Sequence, residues 1–375
     1  MRSTTSRAAR AALATTSAAA LALVLASCGA TNETDGSTGT DTGTGTGTAD
    51  GDLADTLVGA GASSMQAAMQ AWAVNFQTES GTTVNYDPVG SGSGRTQFLS
   101  GGVSFAGSDA YLTDEELTQA ESRCVDGAVD LPVYVSPIAI AYNLPGVEDL
   151  QLSPAALAGI MAQEITTWDD PAIAETNEGV ELPSTTITPV NRSDDSGTTE
   201  NFTEYLDAVA PDAWTYGVVE TWPIAGGEAA QGTSGVVQAI TNGEGTIGYA
   251  DASQVGDLSV AQVGVGGEFV GPTPEAAAAI LDNSERVEGR PEGDLAIELA
   301  RDTTASGTYP IVLISYMVAC KGYEDQTEAD TVAAFIEYVA SEDGQQAAAE
   351  QAGSAPISDT LREDIGTSLE LVRGS

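Results

Sequence analysis

Hydrophobic and polar positions divide this 375-residue chain into three regimes. An apolar run from Ala11 to Ala26 follows Arg2, Arg7 and Arg10. Residues 29–52 are Thr, Gly and Asp repeats almost without apolar side chains. From residue 53 onward, short β-branched runs alternate with stretches of helical period. Leu57-Val58-Gly59-Ala60-Gly61 reads as a strand ending in a glycine turn, followed by a helix presenting Met65, Met69, Trp72 and Phe76 on one face. Thr83–Tyr86 predicts a short strand that leads through Gly90–Gly94 into a helix around Gln97-Phe98-Leu99. Phe105–Asp109 is a further strand end, Val133–Val135 and Ile138–Tyr142 are buried strands, and 154–162, 199–209 and 236–241 are helices. This alternation predicts an α/β fold of mixed, mostly parallel sheets flanked by helices. Ligands in such folds sit at the carboxyl ends of strands. Four strand-end loops here are rich in hydroxyls and glycine: Ser63/Ser64, Ser91–Gly94, Asp109 and Arg192–Thr198.

The chain's beginning sets the expected compartment. Ala11–Ala26 is too short to span a bilayer and has the layout of a signal segment over residues 1–27. It ends in Leu25-Ala26-Ser27-Cys28, which resembles the lipobox of bacterial lipoproteins. That resemblance implies cleavage before Cys28, lipidation of its thiol, and a mature protein anchored to the outer face of the cytoplasmic membrane. Residues 28–52 cannot bury enough surface to order themselves, and as a tether they would average about 25–30 Å end to end. With Cys28 lipidated, Cys124 and Cys320 remain, an even pair in an oxidising compartment and an expected disulfide. Closing so long a loop contributes at most about 5 kcal/mol by chain entropy.

Removing residues 1–27 takes away three arginines and no acid, leaving nine cations against 55 acids. Such a balance excludes nucleic acid as a partner, because phosphate backbones need a basic face. The long-range field also opposes anions, although surface charge is screened beyond about 10 Å at ordinary salt. An anion site is therefore compatible if it is local, buried and dense in donors. The absence of histidine excludes Ser-His-Asp triads and His-containing zinc sites.

The densest such segment is Asn191-Arg192-Ser193-Asp194-Asp195-Ser196-Gly197-Thr198, ahead of the apolar helical positions Phe202, Tyr205 and Leu206. Ser196 or Thr198 can cap that helix. Its free N–H groups and positive dipole end suit a small oxyanion. Gly197 permits close backbone approach, and Arg192 adds forked donors suited to phosphate.

Gly59-Ala60-Gly61-Ala62-Ser63-Ser64, Gly90-Ser91-Gly92-Ser93-Gly94, Phe105-Ala106-Gly107-Ser108-Asp109-Ala110 and Arg192–Thr198 occur in an order that resembles phosphate-binding proteins of the bacterial phosphate ABC transporter. Trp168-Asp169-Asp170-Pro171-Ala172-Ile173 and Gly245-Thr246-Ile247-Gly248-Tyr249 resemble the same family. The resemblance covers essentially everything after the tether. It implies a two-lobed periplasmic-binding-protein-like fold crossed twice by the chain, expected near Asn143 and near Gly307-Thr308. Lobe one would hold 53–143 and 309–375, lobe two 144–308, with both Cys124 and Cys320 in lobe one. Carried over by matched position, phosphate would be held by Ser63, Ser64, Ser91, Arg192, Ser196, Gly197 and Thr198, with Ser64 acting through its backbone and Ser93 an open addition. Asp109 would accept the proton that phosphate carries and sulfate lacks, and Asp194 would orient Arg192. Arg95 is expected to be a solvated helix residue.

The resemblance further implies inorganic phosphate as ligand, a membrane permease and ATPase as partners, no cofactor, no metal, and a monomer without catalysis. Two other readings are a receptor for another tetrahedral oxyanion, or a phosphate sensor. An enzyme such as a phosphatase finds little support: Arg95 and Val89 break the phosphate-loop pattern around Gly90–Gly94, and Gly59-Ala60-Gly61 lacks the closing glycine of a dinucleotide fingerprint.

Overall fold

The computed structural model describes residues 53–374. The expected signal segment, Cys28 and the tether lie outside them. One continuous path of strands runs Thr83–Asp87, Thr56–Gly61, Phe105–Ser108, Val312–Tyr323, Val125–Asn143, Thr246–Asp251, Thr188–Arg192 and Glu228–Ala230. The outer strands at both ends pair in parallel, while the central long strands pair antiparallel. Among the described residues, no helix is long and apolar enough to cross a membrane.

The runs Val133–Val135 and Ile138–Tyr142, expected as separate strands, belong to the single strand Val125–Asn143. It is buried almost throughout its length, which is why it reads as a near-continuous apolar run rather than an alternating one. Residues up to Pro137 pair with Val312–Tyr323 and residues from Ile138 pair with Thr246–Asp251. Proline cannot donate to a ladder, and Pro137 stands where the strand exchanges one partner for the other. The strand thereby joins two half-sheets, and the exchange comes six residues before Asn143. Later in the chain, Arg290 returns to the first half, where it bonds the Leu112 carbonyl at 2.7 Å and Asp130 at 2.6 Å.

Apolar helical faces cover the sheet as the spacing predicts. Met65, Met69, Trp72 and Phe76 are all buried. The Trp72 indole N–H donates to the Gly344 carbonyl at 2.7 Å, so its polar edge is satisfied inside the core. Cys124 and Cys320 form the expected disulfide, across 196 residues of sequence and 5.1 Å between Cα atoms. It reinforces the ladder between Val125–Asn143 and Val312–Tyr323.

Glycine decides how closely the first site loops pack. A Cβ on Gly94 would lie 2.3 Å from the Gly61 Cα and 2.7 Å from the Ala60 carbonyl oxygen. The helix Ser91–Leu99 therefore rests directly on the end of strand Thr56–Gly61.

Candidate functional site

Four strand-to-helix turns converge where the two half-sheets face each other. Strand Thr56–Gly61 ends in Ser63 and Ser64, and Ser64 donates to both oxygens of the Asp109 carboxylate, at 2.7 and 2.8 Å. Asp109 follows strand Phe105–Ser108, and its backbone N–H donates to the Ser91 hydroxyl at 3.1 Å. Ser91 opens its helix behind Gly90, whose φ of +99° requires glycine. From the other half, Thr198 donates to Asp109 at 3.0 Å. A Cβ on Gly197 would come within 2.7 Å of the Ser91 hydroxyl and 2.8 Å of the Asp109 Cβ. The two halves thus meet at a glycine backbone.

Ser196 is the N-cap of helix Gly197–Val209, its hydroxyl accepting from the Thr199 N–H at 3.2 Å. Arg192 ends strand Thr188–Arg192 and is 3% exposed. Asp194 grips its guanidinium through Nε at 2.8 Å and through Nη2, and also accepts from the Gly232 N–H at 3.1 Å. Burial alone would push the Asp194 carboxyl up. The Arg192 hydrogen bond and charge, with the Gly232 N–H, outweigh it and hold the carboxyl below its ordinary range. Among the described residues the Arg192 guanidinium bonds through Nε and Nη2, and its Nη1 makes no hydrogen bond.

Asp109 is 3% exposed. Burial raises its pKa, against the lowering effect of hydrogen bonds from Ser64, Ser315 and Thr198 and of the Arg192 charge. Ser63 is placed differently: its hydroxyl faces Thr233, accepting from that residue's N–H at 3.1 Å. Ser93 is half-buried and makes no side-chain hydrogen bond among the described residues.

Several residues of this constellation escaped sequence reasoning. Gly232 and Thr233 begin a helix directly after strand Glu228–Ala230, the same strand–glycine–hydroxyl pattern as the recognised loops, so a signal existed. Gln254 donates to the Ser63 and Ser64 carbonyls at 2.9 Å each. Asn201 donates to the Asp109 carbonyl at 2.7 Å and the Gly197 carbonyl at 2.8 Å, binding both halves. Ser315 donates to Asp109 at 2.7 Å, and its one signal was a lone hydroxyl inside an apolar strand.

Arg95 corrects the expectation of a solvated residue. It is 4% exposed, bonds Glu116 at 2.8 Å and Ser108 at 3.0 Å, and reaches across to Glu220 at 3.0 Å. Burial works against its charge, but Glu220 and Glu116 more than compensate and raise its pKa. The helical pattern placed it one turn from Ser91. It could not show that acids from two other segments close over it.

The family model of the PBP superfamily domain matches residues 38–343. This chain is a member of that superfamily. Within it, the phosphate-binding protein PstS 3 of Mycobacterium leprae is 33% identical over 84% of this chain and 87% of its own length. The phosphate-binding protein PstS 2 of Mycobacterium tuberculosis is 34% identical, over 84% of this chain and 86% of its own. The chain therefore belongs to the PstS phosphate-binding proteins, substrate-binding components of phosphate ABC transporters, as its ordered loop motifs imply. A phosphate-bound periplasmic phosphate-binding protein, PfluDING, superposes with a TM-score of 0.67 at 25% identity, covering 83% of this chain and 93% of its own. A phosphate-binding protein from Stenotrophomonas maltophilia shares the fold, with a TM-score of 0.68 at 21% identity over 84% and 94% of the two chains. The α/β architecture is thus the two-lobed one of the PBP superfamily.

Proposed function

We propose that this protein captures inorganic phosphate between its two lobes and hands it, chemically unchanged, to an ABC importer. The observation that carries this reading is the buried Asp109 carboxylate, ringed by hydroxyls from both halves and set beside the helix N-terminus at Ser196–Thr198. The anion would be held by donors at Ser63, Ser64, Ser91, Ser196, Gly197 and Thr198 and by the Arg192 guanidinium, with Asp194 keeping that guanidinium oriented. Because the Ser64 hydroxyl is engaged by Asp109, its contribution to the anion would come from the backbone.

Asp109 gives the site its selectivity in this reading. Phosphate near neutral pH still carries a proton for the carboxylate to accept, whereas sulfate would meet a repelled, unpaired charge. The lobes would open by rotation where strand Val125–Asn143 changes partner and in the chain leading into Val312–Tyr323. The implied partners are a membrane permease and its ATPase, reached from an extracytoplasmic position on a lipid at Cys28. The Ser64 and Thr198 hydroxyls are committed as donors to Asp109, an arrangement that suits holding an anion; the protein would act as a monomer. Thermal-shift titration with phosphate, arsenate, sulfate and molybdate tests the reading. Phosphate should raise the midpoint progressively with concentration, and equal responses to sulfate, or none to any anion, would refute it.

A further inference from the structure

Ser315 lies in strand Val312–Tyr323, flanked by Ile314 and Tyr316, and is wholly buried. A hydroxyl in such surroundings is costly unless it finds a partner. The strand's register supplies one. Tyr316 pairs with Ser108 on one side, so the antiparallel continuation sets Ser315 beside Asp109. Against the long strand the register shifts between Ser315 and Tyr316, an irregularity of the kind that re-aims a side chain.

We propose that Ser315 is a positioning residue for Asp109, holding the carboxylate ionised and oriented as an acceptor for the bound anion's proton. This rests on the phosphate-binding reading above. The hydrogen-bond inventory supports it. A carboxylate offers about four lone-pair positions, and Asp109 meets three hydroxyl donors. Ser315 bonds Oδ1 at 2.7 Å, Thr198 bonds Oδ2 at 3.0 Å, and Ser64 shares its single proton between them. Three protons serve four positions, so the carboxylate is one proton short, and the deficit falls where Ser64 divides its bond and a ligand proton would enter. A carboxyl group that took up a proton of its own would become a donor and would no longer repel a fully ionised oxyanion.

The charged and titratable groups around Asp109 set the background. Arg192, paired with Asp194, lowers its pKa, while Tyr86, Tyr134 and Asp251 lie near enough to feel its charge. Glu200 lines the same interlobe cleft. Burial pushes Glu200 and Asp251 each up to about 7. The informative quantity is therefore the difference between variant and wild type.

Burial already drives Asp109 upward, and removing one compensating donor raises it further. Loss of Ser315 should therefore let Asp109 protonate at a higher pH. The experiment is calorimetric competition of sulfate against phosphate over an acid-to-neutral series, using full-length protein. Wild type, Ser315→Ala, Ser315→Cys and Ser315→Thr are compared. The pH below which sulfate begins to compete should move up by about one unit in Ser315→Ala, an about tenfold change in proton affinity. Ser315→Cys, which keeps the volume but weakens the donor, should move it in the same direction and serves if the alanine variant fails to fold. Ser315→Thr should restore the wild-type profile. Sulfate profiles of the alanine and cysteine variants that superpose on wild type overturn the inference, as does sulfate exclusion at every pH in all four proteins. Wild-type protein that binds no phosphate would instead remove the function on which the inference rests, and is distinguishable because it needs no variant.

Discussion

A buried carboxylate in an anion site is costly unless its charge has a task, and the task proposed for Asp109 is to read protonation. Three hydroxyls and the Arg192 guanidinium counter part of the burial that raises its pKa. Asp109→Asn keeps the shape but converts an acceptor-only group into one that also donates. Sulfate should then bind at least tenfold more tightly relative to phosphate, a change of about 1.4 kcal/mol in discrimination. Competition titrations that give unchanged selectivity would remove the role assigned to Asp109. The sequence singled out this residue through its strand-end position together with the family resemblance of the four loop motifs. It could not identify Ser315 or Asn201, which lie far along the chain and meet Asp109 through sheet register and lobe contact.

At the scale of elements, the site depends on how closely helix starts can approach strand ends. Gly94 illustrates this. In an exposed helix alanine is favoured over glycine by about 1 kcal/mol, yet here the added methyl would overlap the backbone of Ala60 and Gly61, which cannot swing aside. Gly94→Ala should destabilise the fold by about 2 kcal/mol and displace Ser91 from its bond with the Asp109 N–H, weakening phosphate binding as well. Gly235→Ala, in helix Gly232–Asn242, is the control. Its methyl would find the Ala230 Cβ at an ordinary 3.5 Å, so urea unfolding should show a gain of about 0.5–1 kcal/mol. If both substitutions stabilised equally, the close approach at Gly94 would not be structural. Periodicity revealed these helices but placed their starts late. The helices expected at 199 and 236 begin at Gly197 and Gly232, because first-turn glycines and hydroxyls carry no apolar period.

Across the whole molecule, a strongly acidic protein captures an anion. Nine cations against 55 acids in the expected mature chain create a repulsive field at long range, while the site attracts at contact distance. Added salt screens the first much more than the second. Association rates for phosphate should therefore rise about two- to tenfold between low and moderate salt. Stopped-flow rates that fall with salt would mean that the local field around the site is positive and dominates approach. Sequence alone determined the α/β class, the four strand-end loops rich in glycine and hydroxyls, the pairing of Cys124 with Cys320, and, by resemblance of ordered motifs, the family. Each of these is written in local residue type, spacing or cysteine count. Tertiary structure alone decided that one strand spans both half-sheets, that Arg95 is buried between acids of both halves, and that Ser315 reaches Asp109. These depend on which distant segments become neighbours, and register and packing between lobes leave no periodic trace along the chain.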